Sequence, residues 1–207
     1  MISKSRGLDI SKNNTPMKLS VNQINWPADF PEKPEVTVEV SNDHERLFLQ
    51  WHVKGEQLRA VTTEDQGPVW EDSCVEFFCQ VPGDKHYMNF ETNCIGAMVG
   101  SRRLGRAEDV QPLTPDEMHS IKRTCTHARE AFEEKDGLFE WEVKLEIPLS
   151  LIFQCPISNL QFPLKLRANF YKCADQTKRP HFLSWRPIDL PKPDFHCPQF
   201  FGEITLF

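Results

Sequence analysis

Two glutamates that meet across a hairpin are the first residues in this chain equipped for chemistry. Val75–Val81 alternates apolar and polar positions, and Tyr87 to Asn93 reads as its return strand across the turn Pro82-Gly83-Asp84-Lys85. That register sets Glu76 directly opposite Glu91. Opposed side chains stand ~5 Å apart at Cβ, and like charges there repel. Such a pair persists with a nearby cation, with a raised pKa, or with a ligand that engages both carboxyls. Arg167, on the polar face of another strand, is the expected cation, and Asn93, Asn169 and Tyr171 lie on the same polar faces. The bland alternative is a solvated outer face, and a one-residue slip would remove the opposition altogether.

Aromatic residues on loops form the second group. Trp70 follows Gly67-Pro68-Val69 and precedes Glu71-Asp72; Phe195 sits in Pro193-Asp194-Phe195-His196. Large apolar rings bury less readily on loops than on strands, and an exposed ring offers a face to an apolar ligand surface such as the axial C–H side of a pyranose. The alternative is that each tucks back over the core. Cys125 with His127, and His196 with Cys197, are thiol–imidazole neighbours, but neither pair has an orienting third residue or a nucleophile motif. No Gly-rich phosphate loop or paired-His zinc motif is present.

These side chains need strands to hold them. Val36, Val38 and Val40 alternate with polar residues, as do Leu47, Leu49, Trp51 and Val53. Phe139, Trp141, Val143, Leu145 and Ile147 alternate with Glu140, Glu142, Lys144 and Glu146, a strand buried on one face and wet on the other. Leu164, Leu166, Ala168 and Phe170 alternate likewise, and Phe201 to Phe207 closes the chain. Sixteen prolines and nine glycines cut the sequence into short pieces. Helix signals are few: Thr114-Pro115-Asp116-Glu117 starts a short helix to about Ser120, and Leu149 to Phe153 makes another turn. Ala128 to Lys135 fits either a helix or a hairpin, and Ser101 to Pro112 reads as an exposed, arginine-rich loop. The expectation is an all-β, antiparallel two-sheet sandwich of the jelly-roll type, a single domain over 21–207 behind a tail over 1–20.

Composition narrows the function classes. The 207 residues carry 24 basic and 30 acidic side chains, a net charge of −6, which argues against phosphate-driven nucleic-acid binding and against anionic membrane surfaces. No apolar run reaches the ~20 residues of a membrane helix. The first thirty residues contain no secretory h-region, and the seven cysteines are odd in number and scattered, which fits reduced thiols in a cytoplasmic protein. Periplasmic or surface placement is the expectation if a leader was omitted. Cys74 and Cys79 are five apart, with no matching second pair to complete a zinc site.

Five stretches, taken in order, resemble the family 9 carbohydrate-binding modules, in particular a stand-alone branch associated with Bacteroides-type bacteria. They are PVWEDSCVEFF (68–78), YMNFETNCIG (87–96), RANFYKCAD (167–175), PHFLSWRPI (180–188) and PDFHCPQFFGEI (193–204). The resemblance covers nearly the whole chain from about Val21 and implies a sandwich related to the DOMON superfamily. It implies non-catalytic binding of the terminal sugar of a glucan or xylan chain between two aromatic rings, in the service of polysaccharide or oligosaccharide catabolism. Motif by motif, the rings fall on Trp70 and Phe195, the hydroxyl-binding glutamate on Glu76 and a binding asparagine on Asn93. Two positions depart: the family has an arginine where this chain has Glu91, and a tryptophan where it has Phe195. A missing guanidinium removes a charge-assisted donor unless Arg167 replaces it. Structural calcium is implied by the resemblance only, with no acidic cluster matched to it.

Two other functions compete. Carboxyls ~5 Å apart suit a retaining glycoside hydrolase, with Glu76 and Glu91 as the working pair. Related DOMON domains bind haem through Met and His, which here would be Met88 and a loop histidine such as His181.

Overall fold

The computed structural model describes residues 8–10 and 16–207. In chain order the strands are β1 (Leu8–Ile10), β2 (Met17–Ser20), β3 (Gln23–Ile24), β4 (Glu35–Asn42), β5 (Arg46–Ala60), β6 (Cys74–Gln80), β7 (Tyr87–Asn93) and β8 (Met98–Arg103). There follow β9 (Gln111–Pro112), helix α1 (Pro115–Ser120), β10 (Lys122–Cys125), β11 (Phe132–Pro148), helix α2 (Leu149–Phe153), β12 (Leu164–Cys173), β13 (Phe182–Ser184) and β14 (Gly202–Leu206).

Two sheets pack face to face. One runs β10-β11-β5-β4-β2; the other runs β1-β14-β12-β6-β7-β8-β9, with β13 on the far end of β12 and β3 beyond it. Among the described residues every pairing is antiparallel except β1 with β14, which is parallel. The alternation seen in the sequence decides which side chains meet between the layers. Val38, Leu49, Trp51, Val143 and Leu145 of the five-stranded sheet pack in one cluster with Phe77, Phe90, Ala168 and Phe170 of the other. The opposite face of the five-stranded sheet is wet, and its charges pair there, as Lys54 does with Glu140 at 2.8 Å.

The larger sheet departs from simple alternation. β6 and β7 are buried on both faces, because loops close over the outer face and form a second apolar cluster of Trp26, Phe78, Tyr87, Tyr171, Ile188, Phe195 and Phe201. That cover takes Glu76 and Glu91 out of the solvent that a bare sheet would give them.

The hairpin register holds. Glu76 faces Glu91, and the turn between β6 and β7 places Gly83 at φ 90°, a left-handed conformation that suits glycine. The helix at Pro115 is closed by a capping box between Thr114 and Glu117. Two expectations are corrected. Residues 8–10 and 17–20 of the expected tail are strands, β1 on β14 and β2 on β4, so the sheets begin well before residue 21. Ser101 to Arg103 belongs to β8, not to an exposed loop. Arg103 is buried because Ser101 Oγ (2.7 Å) and the Arg106 carbonyl (2.9 Å) accept its N–H groups. Of the two readings open for Ala128 to Lys135, the strand one holds from Phe132 onward, with the register against β5 interrupted by bulges.

Candidate functional site

On the outer face of the larger sheet lies a cavity of about 310 Å³, bounded by strand residues Glu76, Glu91, Val99, Arg103 and Cys173. The loops add Trp70, Arg106 and Asp175, together with the segment Pro193 to His196.

Trp70 is carried on a single tight turn, Val69–Glu71. Val69 is fully buried and anchors that turn, while the indole stays 39% exposed. The Trp70 carbonyl accepts the amide of Asp175 at 3.1 Å, tying the turn to the end of β12. Beneath it, the buried Asp72 carboxylate accepts from Arg59 Nη1 (2.5 Å), the amides of Val61 and Thr62 (2.9 Å each) and Asn93 Nδ2 (2.9 Å).

Phe195 bounds the same cavity but is only 7% exposed. One face stacks on Tyr171, with centroids 4.1 Å apart and planes 9° off parallel, and Trp26 and Phe182 pack nearby. The Tyr171 hydroxyl donates to the Phe195 carbonyl at 3.3 Å.

The glutamate pair sits inside. Glu76 accepts from the Cys173 thiol at 3.0 Å. Glu91 accepts from Asn89 Nδ2 at 2.8 Å, at the end of a relay in which Arg103 Nε donates to Ser101 Oγ and Ser101 Oγ to Asn89 Oδ1. Burial and then the neighbouring Glu91 hold the Glu76 carboxyl well above the usual range. Burial raises Glu91 to about 7 against the pull of Arg103, and Asp175 to about 6 against that of Arg106. Burial, reinforced by Arg103 and Arg106, pushes the His196 imidazole down to about 3. Its Nδ1 meets the Tyr87 hydroxyl at 2.8 Å. The cavity is thus a recess that presents carboxyls with raised pKa values beside guanidinium donors.

Of the sequence candidates, Trp70, Phe195, Glu76 and Glu91 converge on this cavity. Arg167 does not, and the pair's cations are Arg103 and Arg106. Arg167 lies four residues along β12 from Tyr171, the register partner of Glu76, which is roughly 13 Å of strand. Its guanidinium is spent on Gln80 Oε1 and the Pro198 carbonyl. Asn93 bonds Asp72, the Thr62 carbonyl and the Ala97 amide, and so braces the Trp70 turn. Asn169 holds Arg186 through both backbone groups, and Tyr171 is the platform under Phe195. The thiol–imidazole pairings do not form at 196–197, where the Cys197 thiol donates to the Asp194 carbonyl. Met88 is packed between the sheets, and His181 Nε2 abuts Lys172 Nζ at 2.8 Å, so neither histidine nor methionine is presented as a haem ligand pair.

Arg103, Arg106, Asp175 and Asp194 escaped the sequence reading, and His196 was read there only as a neighbour of Cys197. Arg103 was within reach: carrying the ladder one strand further pairs it with Tyr87, so it shares a face with Glu91. Arg106 and Asp194 meet at 3.0 Å across two loops, a contact with no local sequence signal. Calcium takes six to eight oxygens. Among the described residues, the one convergent set of three ligating side chains is Cys74, Glu76 and Cys173, whose two thiols do not fit that ion.

A two-sheet β-sandwich with a covered outer face and an aromatic-edged, hydrogen-bonding recess is the build of a small-ligand binding module. The chain belongs to carbohydrate-binding family 9, whose model matches residues 8–206. Among solved structures it is similar to a candidate carbohydrate-binding protein from Bacteroides uniformis, at 34% identity and a TM-score of 0.88 over 98% of this chain and 100% of that one. It also shares its fold with two structures of a family 9 module from Caldicellulosiruptor kristjanssonii. One is a glucose complex (14% identity, TM-score 0.55, 98% and 96% covered) and the other a cellotriose complex (13%, 0.55, 98% and 89%). No curated protein gives a significant match.

Proposed function

We propose that the protein binds, without cleaving, the terminal residue of a glucan- or xylan-type oligosaccharide in this cavity, as part of saccharide catabolism. One observation carries the reading: an exposed indole at the mouth of a recess whose walls are carboxyls and guanidiniums. Trp70 takes the C–H face of the sugar ring, Phe195 and Phe182 supply the apolar wall, and Glu76, Glu91 and Arg106 bond the hydroxyls. Arg103 takes the donor role that the resemblance gives to the arginine replaced here by Glu91. The sugar complexes of the Caldicellulosiruptor module support the same ligand class. The seven unpaired thiols support a reducing compartment, and with it the handling of imported oligosaccharides.

A disaccharide of about 23 heavy atoms at ~0.3 kcal/mol each binds with roughly 7 kcal/mol, a Kd on the order of 10 μM. A glycan array carrying β-glucan and β-xylan oligosaccharides tests the assignment, and retention of neither series would overturn it. The opposed carboxyls favour one second reading, retaining hydrolysis. Release of a chromogenic phenol from aryl glycosides, lost in Glu76→Gln, would replace binding with catalysis.

A further inference from the structure

Behind the cavity wall formed by Glu76 and Cys173 lies a second thiol, Cys74, and saccharide binding uses neither sulfur. Cys74 on β6 and Cys173 on β12 are register partners, and Glu76 lies two residues along from Cys74 on the same face. All three are at most 3% exposed. The two sulfurs and a Glu76 oxygen lie within 4.8 Å of one another, with Cys173 Sγ 3.0 Å from the carboxylate. Bonds of about 2.3 Å from zinc to sulfur and 2.0–2.2 Å to oxygen give tetrahedral edges of roughly 3.5–3.8 Å. Shifts of an ångström or less would close these donors around an ion. Asp175, two residues past Cys173 and on the same cavity, leaves Oδ1 buried without a hydrogen-bond partner among the described residues.

The geometry points to a binding site for zinc or a similar thiophilic divalent cation, held by Cys74, Cys173 and one oxygen of Glu76. Its fourth position opens toward Asp175 and the cavity. Two thiolates with one or two carboxylates select a borderline-soft metal over calcium or magnesium. Binding displaces the thiol protons to solvent and leaves the second Glu76 oxygen free for a hydroxyl. The ligands lie 99 residues apart in sequence and meet only through strand register, so no Cys-x-x-Cys spacing announces them. The site stands whether or not the cavity takes a sugar.

The test is cobalt(II) chloride titration of the reduced, chelator-treated full chain. One equivalent should produce thiolate-to-cobalt charge transfer and d–d bands of tetrahedral intensity, both bleached by zinc chloride. Cys173→Ser, which leaves Cys74 as the one thiolate, should at least halve the charge-transfer intensity while the melting curve stays cooperative. Glu76→Gln should weaken zinc binding by more than the 10–100-fold that outer-shell changes typically cost. Cadmium NMR of the wild-type protein decides the matter if the serine variant does not fold, because its shift counts bound thiolates and should report two. Absence of the charge-transfer band, its persistence at full intensity in folded Cys173→Ser, a cadmium shift of all-oxygen type, or a Cys74–Cys173 disulfide in the purified protein would each overturn the proposal.

Discussion

Glu76 and Glu91 are held in a recess where water no longer solvates their charge, and this distinguishes them from the exposed glutamates of β11. The guanidinium that serves them best from the loops is Arg106, which Asp194 aims through hydrogen bonds of 3.0 and 3.3 Å. A charge-assisted bond from this partly exposed arginine to a sugar hydroxyl contributes about 1–2 kcal/mol. Arg106→Ala should therefore weaken saccharide binding roughly tenfold in calorimetry at low salt, with little change in melting temperature. His196 gives a pH signature. Its folded pKa of about 3 lies below the ordinary 6.5, so the fold prefers the neutral ring. That contribution is present above pH 6.5 and is lost as pH falls toward 3. The buried carboxyls, with raised pKa values, act in the opposite sense, so the comparison must be against a variant. His196→Gln should flatten the acid-side fall of the melting temperature. An unchanged profile would remove His196 from the account. At this scale the sequence was legible where strand alternation governs: Glu76 and Glu91 follow from one turn. Arg106, Asp194 and His196 were not, because loop residues meet according to how loops fold back, which carries no periodicity.

The elements that matter most to the site are the short ones. The turn at Val69–Glu71 is held by two backbone bonds of its own, Glu71 N to Pro68 O and Asp72 N to Val69 O at 3.2 Å each, and by Asp72 and Asn93 beneath it. Asn93 is fully buried with three hydrogen bonds, and removing its amide leaves Asp72 and the Ala97 amide short of a partner. Asn93→Ala should cost about 2–3 kcal/mol, a fall of roughly 4–12 °C in melting temperature. At temperatures where the variant is folded, its saccharide affinity should stay within about threefold of wild type. A large loss of affinity in a stable variant would instead make Asn93 a direct ligand, as the family resemblance implies. Likewise Thr114→Ala breaks the capping box of α1 and should cost ~1 kcal/mol without touching the cavity. Strands, hairpin and capped helix were visible in the sequence because each rests on neighbours a few residues apart. The loop cover over the larger sheet was not. Trp26 and Ile188 look like isolated apolar residues until β3 and β13 bring their segments together.

At the scale of the molecule, the two layers divide the work. The sheet interface supplies stability through Trp51, Phe77, Phe170 and their neighbours, and the outer face of the larger sheet, roofed by loops, supplies a recess that a two-layer sandwich does not otherwise have. The two-sheet architecture was readable from alternation alone, whereas the small parallel pairing of β1 with β14 was not, since three residues hold too little pattern. The account depends on one exposed indole at the mouth of that recess. Calorimetric titration of the wild-type chain and of Trp70→Ala with cellotriose and xylotriose, side by side, tests it most directly. The expected result is a wild-type Kd on the order of 10 μM for at least one of the two, and no detectable heat from a variant that still melts cooperatively near the wild-type temperature. Equal affinity in the two proteins, or no binding of either saccharide by wild type, would contradict it.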